Sequence, residues 1–204
     1  IPLRLVGSEM CIRDSNNYDF TIVGGGIIGA STAYKLKLNF PRSKILVIEK
    51  EIQSSTHQTG RNSGVIHSGL YYTPGSLKAK TCINGYHQLL KFCFEENINH
   101  EICGKLVVPK NKLELKQLEL IAKRGSENGL DGIRFVDRKE VKKMEPYISS
   151  TEALHVPQTG IVDYIGMTKR LISRAVEDKG SFRTNAKVVD MGTTSNKSFI
   201  RLLN

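Results

Sequence analysis

Residues 18–29, which read YDFTIVGGGIIG, decide the fold of this chain. The first six of them are a short apolar run that ends directly in glycine, which is typical of a buried parallel strand. A helical pattern follows over residues 27–38, and residues 44–48 (KILVI) predict a second strand with Glu49 at its carboxyl end. The sequence therefore predicts one complete βαβ unit of about 30 residues.

The glycines of this unit predict a dinucleotide site. A Gly-x-Gly-x-x-Gly string is weak evidence alone, but here it follows a strand, opens a helix and precedes Glu49 by about 20 residues. Gly24 permits the tight turn, Gly26 lets the backbone approach a pyrophosphate, and Gly29 lets the helix pack closely on the strand. The N–H groups of the first helical turn, which includes Ile28, attract phosphates together with the helix dipole. Glu49 is expected to accept hydrogen bonds from the ribose hydroxyls.

A long polar segment, residues 54–69 (SSTHQTGRNSGVIHSG), favours FAD over NAD. The glycine motif serves both cofactors, but a nicotinamide dehydrogenase would more often continue straight into the next helix. An extended, buried cofactor needs small residues, hydroxyls and a guanidinium along its length, and this segment has all three. The alternative is a solvated surface loop. The predicted cofactor contacts in this segment are Thr59, Gly60, Arg61, Asn62, Ser63 and Gly64.

Helices and strands continue to alternate along the rest of the chain. Asp137 stands three residues before Glu140, which is the spacing of a capping box at the start of a short helix. Other helices are predicted at residues 76–96, 111–128 and 163–179, and strands at 104–109, 132–136, 182–191 and 199–203.

Composition excludes several classes of protein. The chain has 204 residues, 39% hydrophobic and 25% charged, as in an ordinary globular protein and unlike a disordered one. The chain contains no stretch of about 18 or more apolar residues, so the sequence predicts no membrane span. The formal charge of +10 is spread along the chain without a recognition motif, so nucleic-acid binding is not expected.

The cysteines predict neither a metal site nor a disulfide framework. No pair has C-x-x-C spacing, and a chain of this length does not need disulfides to fold. Cys82 and Cys93 lie on one predicted helix, where buried reduced thiols are expected. A reducing compartment fits this pattern. The four cysteines are Cys11, Cys82, Cys93 and Cys103.

Residues 18–171 resemble the FAD-dependent oxidoreductases of the D-amino-acid oxidase superfamily. Within it, they are most similar to the L-2-hydroxyglutarate dehydrogenase/oxidase family. The resembling pieces are DFTIVGGGIIGASTAYKL, VIEK, HQTGRNSGVIHSGLYYTPGSLKA, CGKLVVP and QTGIVDY. The first two pieces are common to the superfamily, so the choice of family rests mainly on HQTGRNSGVIHSGLYY.

The resemblance implies oxidation of L-2-hydroxyglutarate to 2-oxoglutarate by a noncovalently held FAD. Hydride would pass from C2 to flavin N5 while a base takes the hydroxyl proton. His67 is the candidate catalytic base or substrate-orienting group, with an ordinary hydrogen-bonding residue as the alternative. Tyr71, Tyr72 and Lys105 are candidates for lining the substrate cavity, where basic groups suit a dicarboxylate. The implied electron acceptor is oxygen or a quinone.

The expected fold is α/β, a Rossmann-like FAD-binding domain with the start of an α+β substrate domain and with its C-terminal part missing. A non-native or disordered leader is expected at residues 1–17 and the N-terminal part of the FAD-binding domain at 18–75. Helical cap and substrate-domain segments follow at 76–181, and a truncated strand returning to the FAD domain at 182–204. We therefore expect an N-terminal fragment, for which stable FAD binding and activity on its own are not expected.

Two other functions stay open from the sequence. One is oxidation of an amine, such as glycine, sarcosine or a D-amino acid, or of glycerol 3-phosphate by a related flavoenzyme. The other belongs to a different class, a non-catalytic dinucleotide-binding module. The expected location is the cytoplasm, with peripheral association with the inner membrane, mitochondrial in a eukaryote, as a further option.

Overall fold

The computed structural model describes residues 17–149 and 152–203. Residues 1–16 of the predicted leader, together with Cys11, lie outside the described residues. The described residues fall into two compact units. The first comprises residues 17–53 and 171–203, and the second comprises residues 54–149 and 152–170. The domain limits expected from the sequence stay a prediction.

Helices and short strands alternate in both units. The strands among the described residues are β1 (Phe20–Val23), β2 (Ile45–Ile48), β3 (Val65–Ile66), β4 (His100–Glu101), β5 (Lys105–Val107), β6 (Arg134–Asp137), β7 (Glu152–Val156), β8 (Gly160–Val162), β9 (Ser181–Arg183), β10 (Val188–Thr193) and β11 (Ser198–Leu202). The helices are α1 (Ile27–Asn39), α2 (Leu77–Glu95), α3 (Lys112–Glu127), α4 (Arg138–Met144) and α5 (Tyr164–Val176), and a 3₁₀ turn covers Gln58–Gly60.

The first unit contains the predicted βαβ arrangement. Its parallel sheet has the order β1-β2-β9, and β1 pairs with β2 from Phe20 opposite Ile45 onward. All four residues of β2 are buried, as expected for the central strand of a covered parallel sheet. Ile45 and Val47 pack with Ala33 of α1 and Ala175 of α5. Complete burial of each of these branched side chains contributes about 1.5–3 kcal/mol.

The prediction of one strand over residues 182–191 is wrong. The chain forms two strands there, because Asn185 adopts a left-handed conformation with φ of 51° and turns the backbone between them. β9 joins the parallel sheet beside β2, whereas β10 pairs antiparallel with β11. Val188 and Leu202 of this hairpin pack against Leu46 and Ile48 of β2. Because side chains alternate along a strand, these two lie on the opposite face of the sheet from Ile45 and Val47.

The second unit is built on two three-stranded antiparallel sheets, with strand orders β3-β8-β4 and β5-β7-β6. Leu118 of α3 packs on Leu154 and Val156 of the central strand β7. The sequence predicted β5, β6 and the three helices α2 to α4, but not β3, β4, β7 or β8. None of the described helices is long and apolar enough to cross a membrane.

Only half of the predicted capping box forms at the start of α4. The Asp137 carboxylate accepts a hydrogen bond from the N–H of Glu140 at 2.9 Å. The Glu140 carboxylate does not return the bond, because both of its oxygens accept from the Arg134 guanidinium at 2.8 Å. This pair holds the pKa of Glu140 below its usual value, through the hydrogen bond and the charge of Arg134.

We expect Gly29→Ala to lower the free energy of unfolding by about 1–3 kcal/mol, because a Cβ at this position would overlap the Gly24 carbonyl oxygen. Gly85→Ala is the matched control. Gly85 also lies in a helix, and a Cβ there would meet nothing within 4 Å, so this change should raise stability by about 0.5–1 kcal/mol. Urea denaturation followed by circular dichroism measures both. Equal shifts in the two variants would contradict the close packing at Gly29.

Candidate functional site

The glycine turn of the first unit has a geometry that requires glycine. Gly24 adopts φ of +112°, and its N–H donates to the carbonyl of Ile48 at 2.7 Å, which continues the pairing of β1 with β2. Gly26 is the N-cap of α1, and no acidic side chain stands in the first turn. Ile28 in that turn is 78% exposed. The positive end of the helix dipole is therefore not neutralised by a carboxylate of its own helix.

Glu49 lies beside this turn. Its side chain is 8% exposed, its Oε2 accepts from the N–H of Gly25 at 2.7 Å, and its Oε1 accepts from the N–H of Glu51 at 2.9 Å. A Cβ on residue 25 would approach Glu49 Cβ to 3.1 Å, so glycine leaves room for the carboxylate. Each carboxylate oxygen keeps a further lone pair that a ribose hydroxyl could use.

The predicted cofactor loop of the second unit is held together by Asn62. The side-chain amide of Asn62 donates to the carbonyl of Thr59 at 2.7 Å, and its oxygen accepts from the N–H of Gly64 at 2.7 Å. Gly64 adopts φ of +70°. The sequence assigned Asn62 to the cofactor, but the contacts of its side chain are within the loop.

Gly60 and Arg61 differ in what they offer a ligand. A Cβ on residue 60 would overlap the carbonyl oxygen of Ser55, so glycine at position 60 lets its backbone lie against the backbone at Ser55. Arg61 and Ser63 are exposed, and among the described residues the Arg61 guanidinium has no carboxylate partner. Both side chains are therefore open to solvent and carry hydrogen-bond donors.

An open groove of about 520 Å³ borders the same loop. The sequence patterns indicated only the loop side of this groove and not the side formed by β4 and β8. The QTGIVDY piece, which covers β8, was the one signal for that side. The lining residues are Asn62, Ser63, Gly64, Asn99, His100, Glu101, Ile161, Val162 and Asp163.

A second, smaller cavity brings together the residues predicted to meet the substrate. We call it the tyrosine cleft. Its volume is about 90 Å³, and its lining consists of His67, Ser68, Gly69, Leu70, Tyr71, Tyr72 and Lys105. The Lys105 ammonium donates to the Tyr71 hydroxyl at 3.1 Å and lies 4.5 Å from the centroid of the same ring. Lys105 is distant from the others in sequence, and the fold of the second unit places it beside them.

The three described cysteines are free thiols. Cys93 is completely buried, and burial raises its pKa to about 11. Burial also raises the pKa of Cys82, whose thiol donates to the carbonyl of His67 at 3.4 Å. Both thiols therefore stay protonated near neutral pH, which disfavours them as nucleophiles. Within the described part of the chain, no group of three or more His, Cys, Asp or Glu could hold a metal ion.

Residues 19–200 match the sequence model of the DAO family, which is described as FAD dependent oxidoreductase. The chain belongs to this family. The family membership and the α/β fold predicted from the sequence are thereby confirmed. FAD is the cofactor of this family, as the glycine motif and the following loop predicted.

Two curated relatives and one solved structure show how far the similarity extends. The L-2-hydroxyglutarate dehydrogenase of Indibacter alkaliphilus is 46% identical over 90% of this chain and 46% of its own length. The mitochondrial L-2-hydroxyglutarate dehydrogenase of Homo sapiens is 42% identical over 92% of this chain and 40% of its own length. L-alpha-glycerophosphate oxidase from Mycoplasma pneumoniae with FAD bound superposes with a TM-score of 0.82 at 29% identity, covering 92% of this chain and 50% of that one. The chain thus spans less than half the length of these two curated relatives.

The first unit of this DAO-family chain fits the ADP portion of FAD. The turn at Gly24 suits a pyrophosphate and the carboxylate of Glu49 suits a ribose, while the close packing at Gly29 sets the start of α1 against β1. The contacts of individual residues with the cofactor stay predictions.

Asn128, which the sequence analysis did not single out, shapes the tyrosine cleft. It is the C-cap of α3 and only 8% exposed. Its side-chain amide donates to the carbonyls of Gly69 at 3.0 Å and Tyr72 at 2.9 Å, which fixes both ends of the turn lining the cleft. An asparagine after a helix is an ordinary end signal, so nothing in the sequence pointed to these distant contacts.

We expect Asn128→Asp to lower the free energy of unfolding by about 1–3 kcal/mol, because a carboxylate would face two carbonyl oxygens without a donor. Asn111→Asp is the control with the same change in charge at the other end of α3. Asn111 accepts from the N–H groups of Leu113 and Glu114, and aspartate caps a helix equally well. Urea denaturation compares the two variants. A loss in Asn128→Asp no larger than in Asn111→Asp would contradict the role of the two turn contacts.

Proposed function

We propose that this chain is the N-terminal part of an enzyme that oxidises L-2-hydroxyglutarate to 2-oxoglutarate with FAD. The observation that carries the proposal is the 46% identity, over 90% of this chain, to a bacterial protein named L-2-hydroxyglutarate dehydrogenase. The 42% identity to the human protein of the same activity supports the same substrate. Lysine and tyrosine side chains in the tyrosine cleft suit an acidic substrate.

The reaction removes a hydride from C2 of the substrate and a proton from its hydroxyl group. FAD, when bound, supplies the two-electron acceptor. We propose that His67, which lines the tyrosine cleft and is exposed to solvent, accepts this proton. A neutral imidazole accepts a proton near neutral pH, as a general base must.

Within each unit, different residues are proposed to hold the cofactor. In the first unit these are the backbone at Gly24, Gly26, Ile28 and Gly29, for the pyrophosphate, and Glu49, for the ribose. In the second unit, the loop from Thr59 to Gly64 is proposed to contact the rest of FAD. Arg61 and Ser63 would do so through their side chains, and Thr59, Gly60, Asn62 and Gly64 would shape the backbone.

The proposed partners are a small dicarboxylate substrate and an electron acceptor, either oxygen or a quinone. No nucleic acid is proposed as a partner. The human relative is named as mitochondrial, so we propose a mitochondrial location for a eukaryotic source and the cytoplasm for a bacterial one. Peripheral association with the inner membrane is the further option, and vesicle flotation with anionic lipids tests it.

We expect L-2-hydroxyglutarate to bleach the flavin of the completed enzyme under anaerobic conditions. The completed enzyme is this chain extended by the C-terminal half of the Indibacter alkaliphilus relative and loaded with FAD. D-2-hydroxyglutarate, glycine and sarcosine should leave the visible spectrum oxidised. Glycerol 3-phosphate is a necessary comparison because of the structural similarity to the glycerophosphate oxidase. Bleaching by that compound alone would overturn the proposed substrate but keep the flavoenzyme.

His67→Gln should slow anaerobic flavin reduction by about 10²- to 10⁴-fold, because the amide can hydrogen-bond to the substrate but cannot accept its proton. Stopped-flow absorbance measures this rate. The control is His87→Gln, which removes an exposed imidazole of α2 that does not line the tyrosine cleft. A rate for His67→Gln close to that of the control would exclude His67 as the base.

A further inference from the structure

We propose that Lys105 is a specificity-determining residue that binds a carboxylate of the substrate, and that Tyr71 positions its ammonium group. The proposal rests on the proposed function, since it takes the substrate to be a dicarboxylate. It adds an electrostatic anchor to a site in which His67 is assigned only a proton transfer.

The orientation of the Lys105 side chain is the first support. Its stem begins in β5 and is half-buried. The ammonium nitrogen is held both by the Tyr71 hydroxyl at 3.1 Å and by the face of the Tyr71 ring at 4.5 Å. A lysine held this way loses less conformational freedom on binding an anion than a freely moving surface lysine does. One of its three N–H donors is used by Tyr71, and two remain.

The charge of Lys105 is the second support. Among the described residues, no carboxylate lies within ion-pair distance of its ammonium group. Two arginines of the second unit are neutralised in this way, since Arg134 pairs with Glu140 at 2.8 Å and Arg170 pairs with Glu96. No acidic residue lines the tyrosine cleft. The cleft is therefore positively charged, and a carboxylate bound there would gain a charge-assisted hydrogen bond.

The size of the cleft is the third support. About 90 Å³ is room for a carboxylate group together with a few water molecules. We infer that one end of the substrate enters the cleft, in the same cavity that His67 lines. Either carboxylate of 2-hydroxyglutarate could supply that end, and a substrate lacking the distal one distinguishes the two.

Lys105→Met tests the proposal, because it removes the ammonium group and keeps an unbranched apolar stem. In the completed enzyme, we expect the Kd of glutarate, measured by the change of the flavin spectrum, to rise by about 10- to 100-fold. The KM for L-2-hydroxyglutarate should rise by a similar factor, with a much smaller change in kcat. Lys105→Arg should restore part of the affinity, and Tyr71→Phe should give a smaller rise in Kd than Lys105→Met.

Lys110→Met is the matched control. It removes the same charge from an exposed lysine five residues along the chain that does not line the cleft. It should leave both the Kd and the KM unchanged. If Lys105→Met fails to retain FAD, Lys105→Gln, which keeps a polar end on the side chain, serves as the second variant with the same expected rise in Kd.

The outcomes separate this proposal from the proposed function. Wild-type oxidation of L-2-hydroxyglutarate with equal Kd values for glutarate in the wild type and the Lys105 variants would overturn the anchor and leave the function standing. Lysine-dependent glutarate binding without oxidation of L-2-hydroxyglutarate would keep the anchor for another acid and overturn the function. With L-2-hydroxyvalerate as substrate, an unchanged KM in Lys105→Met assigns Lys105 to the distal carboxylate, and a raised KM assigns it to the carboxylate beside C2.

Discussion

The hydrogen bond from the N–H of Gly25 to the carboxylate of Glu49 is the contact on which the first unit depends. It joins the turn after β1 to the end of β2, so the two ends of the βαβ unit are fixed relative to each other. The contact needs glycine at position 25, because a side chain would crowd Glu49. The turn itself needs glycine at position 24, where φ is +112°. The direction of α1 and the position of the Glu49 carboxylate therefore follow from one small cluster of backbone constraints. The sites that we propose for the pyrophosphate and the ribose depend on the same cluster.

Two asparagines have the corresponding role in the second unit. Irregular backbone must find hydrogen-bond partners outside helices and sheets, and a side-chain amide can supply both a donor and an acceptor. Asn62 does so within its own loop, through Thr59 and Gly64. Asn128 uses its NH₂ group as a donor to two carbonyls 56 and 59 residues away in sequence, and it holds the turn from Gly69 to Tyr72. The loop and the tyrosine cleft are thus positioned by neutral side chains, which leaves the charged groups available for ligands.

The predictions succeeded where a structure is determined by neighbouring residues. The βαβ unit, α2 and α3 have strong local patterns, and Ser76 and Asn111 cap the helices where the sequence indicated. β7 was missed because its pairing partners, β5 and β6, are distant in sequence and its own five residues carry little pattern. The prediction of one strand over residues 182–191 was wrong because the alternating pattern continues through Asn185, where the backbone turns. Asparagine adopts the left-handed conformation more readily than most residues, and its presence was the only sign of this turn in the sequence. The role of Asn128 was missed for the same reason as β7, because it depends on contacts with residues distant in sequence.

The distribution of charge connects the fold to the chemistry that we propose. An unpaired lysine is by itself ordinary in a chain with a formal charge of +10, because most such groups are simply solvated. Lys105 differs because its ammonium group is held over the Tyr71 ring inside a cleft without acidic residues. The fold brings β5 to the turn that Asn128 holds, so the cation and the imidazole of His67 share one cavity. A secondary alcohol that carries a carboxylate presents the complementary groups, an acidic end for the lysine and a hydroxyl proton for the imidazole.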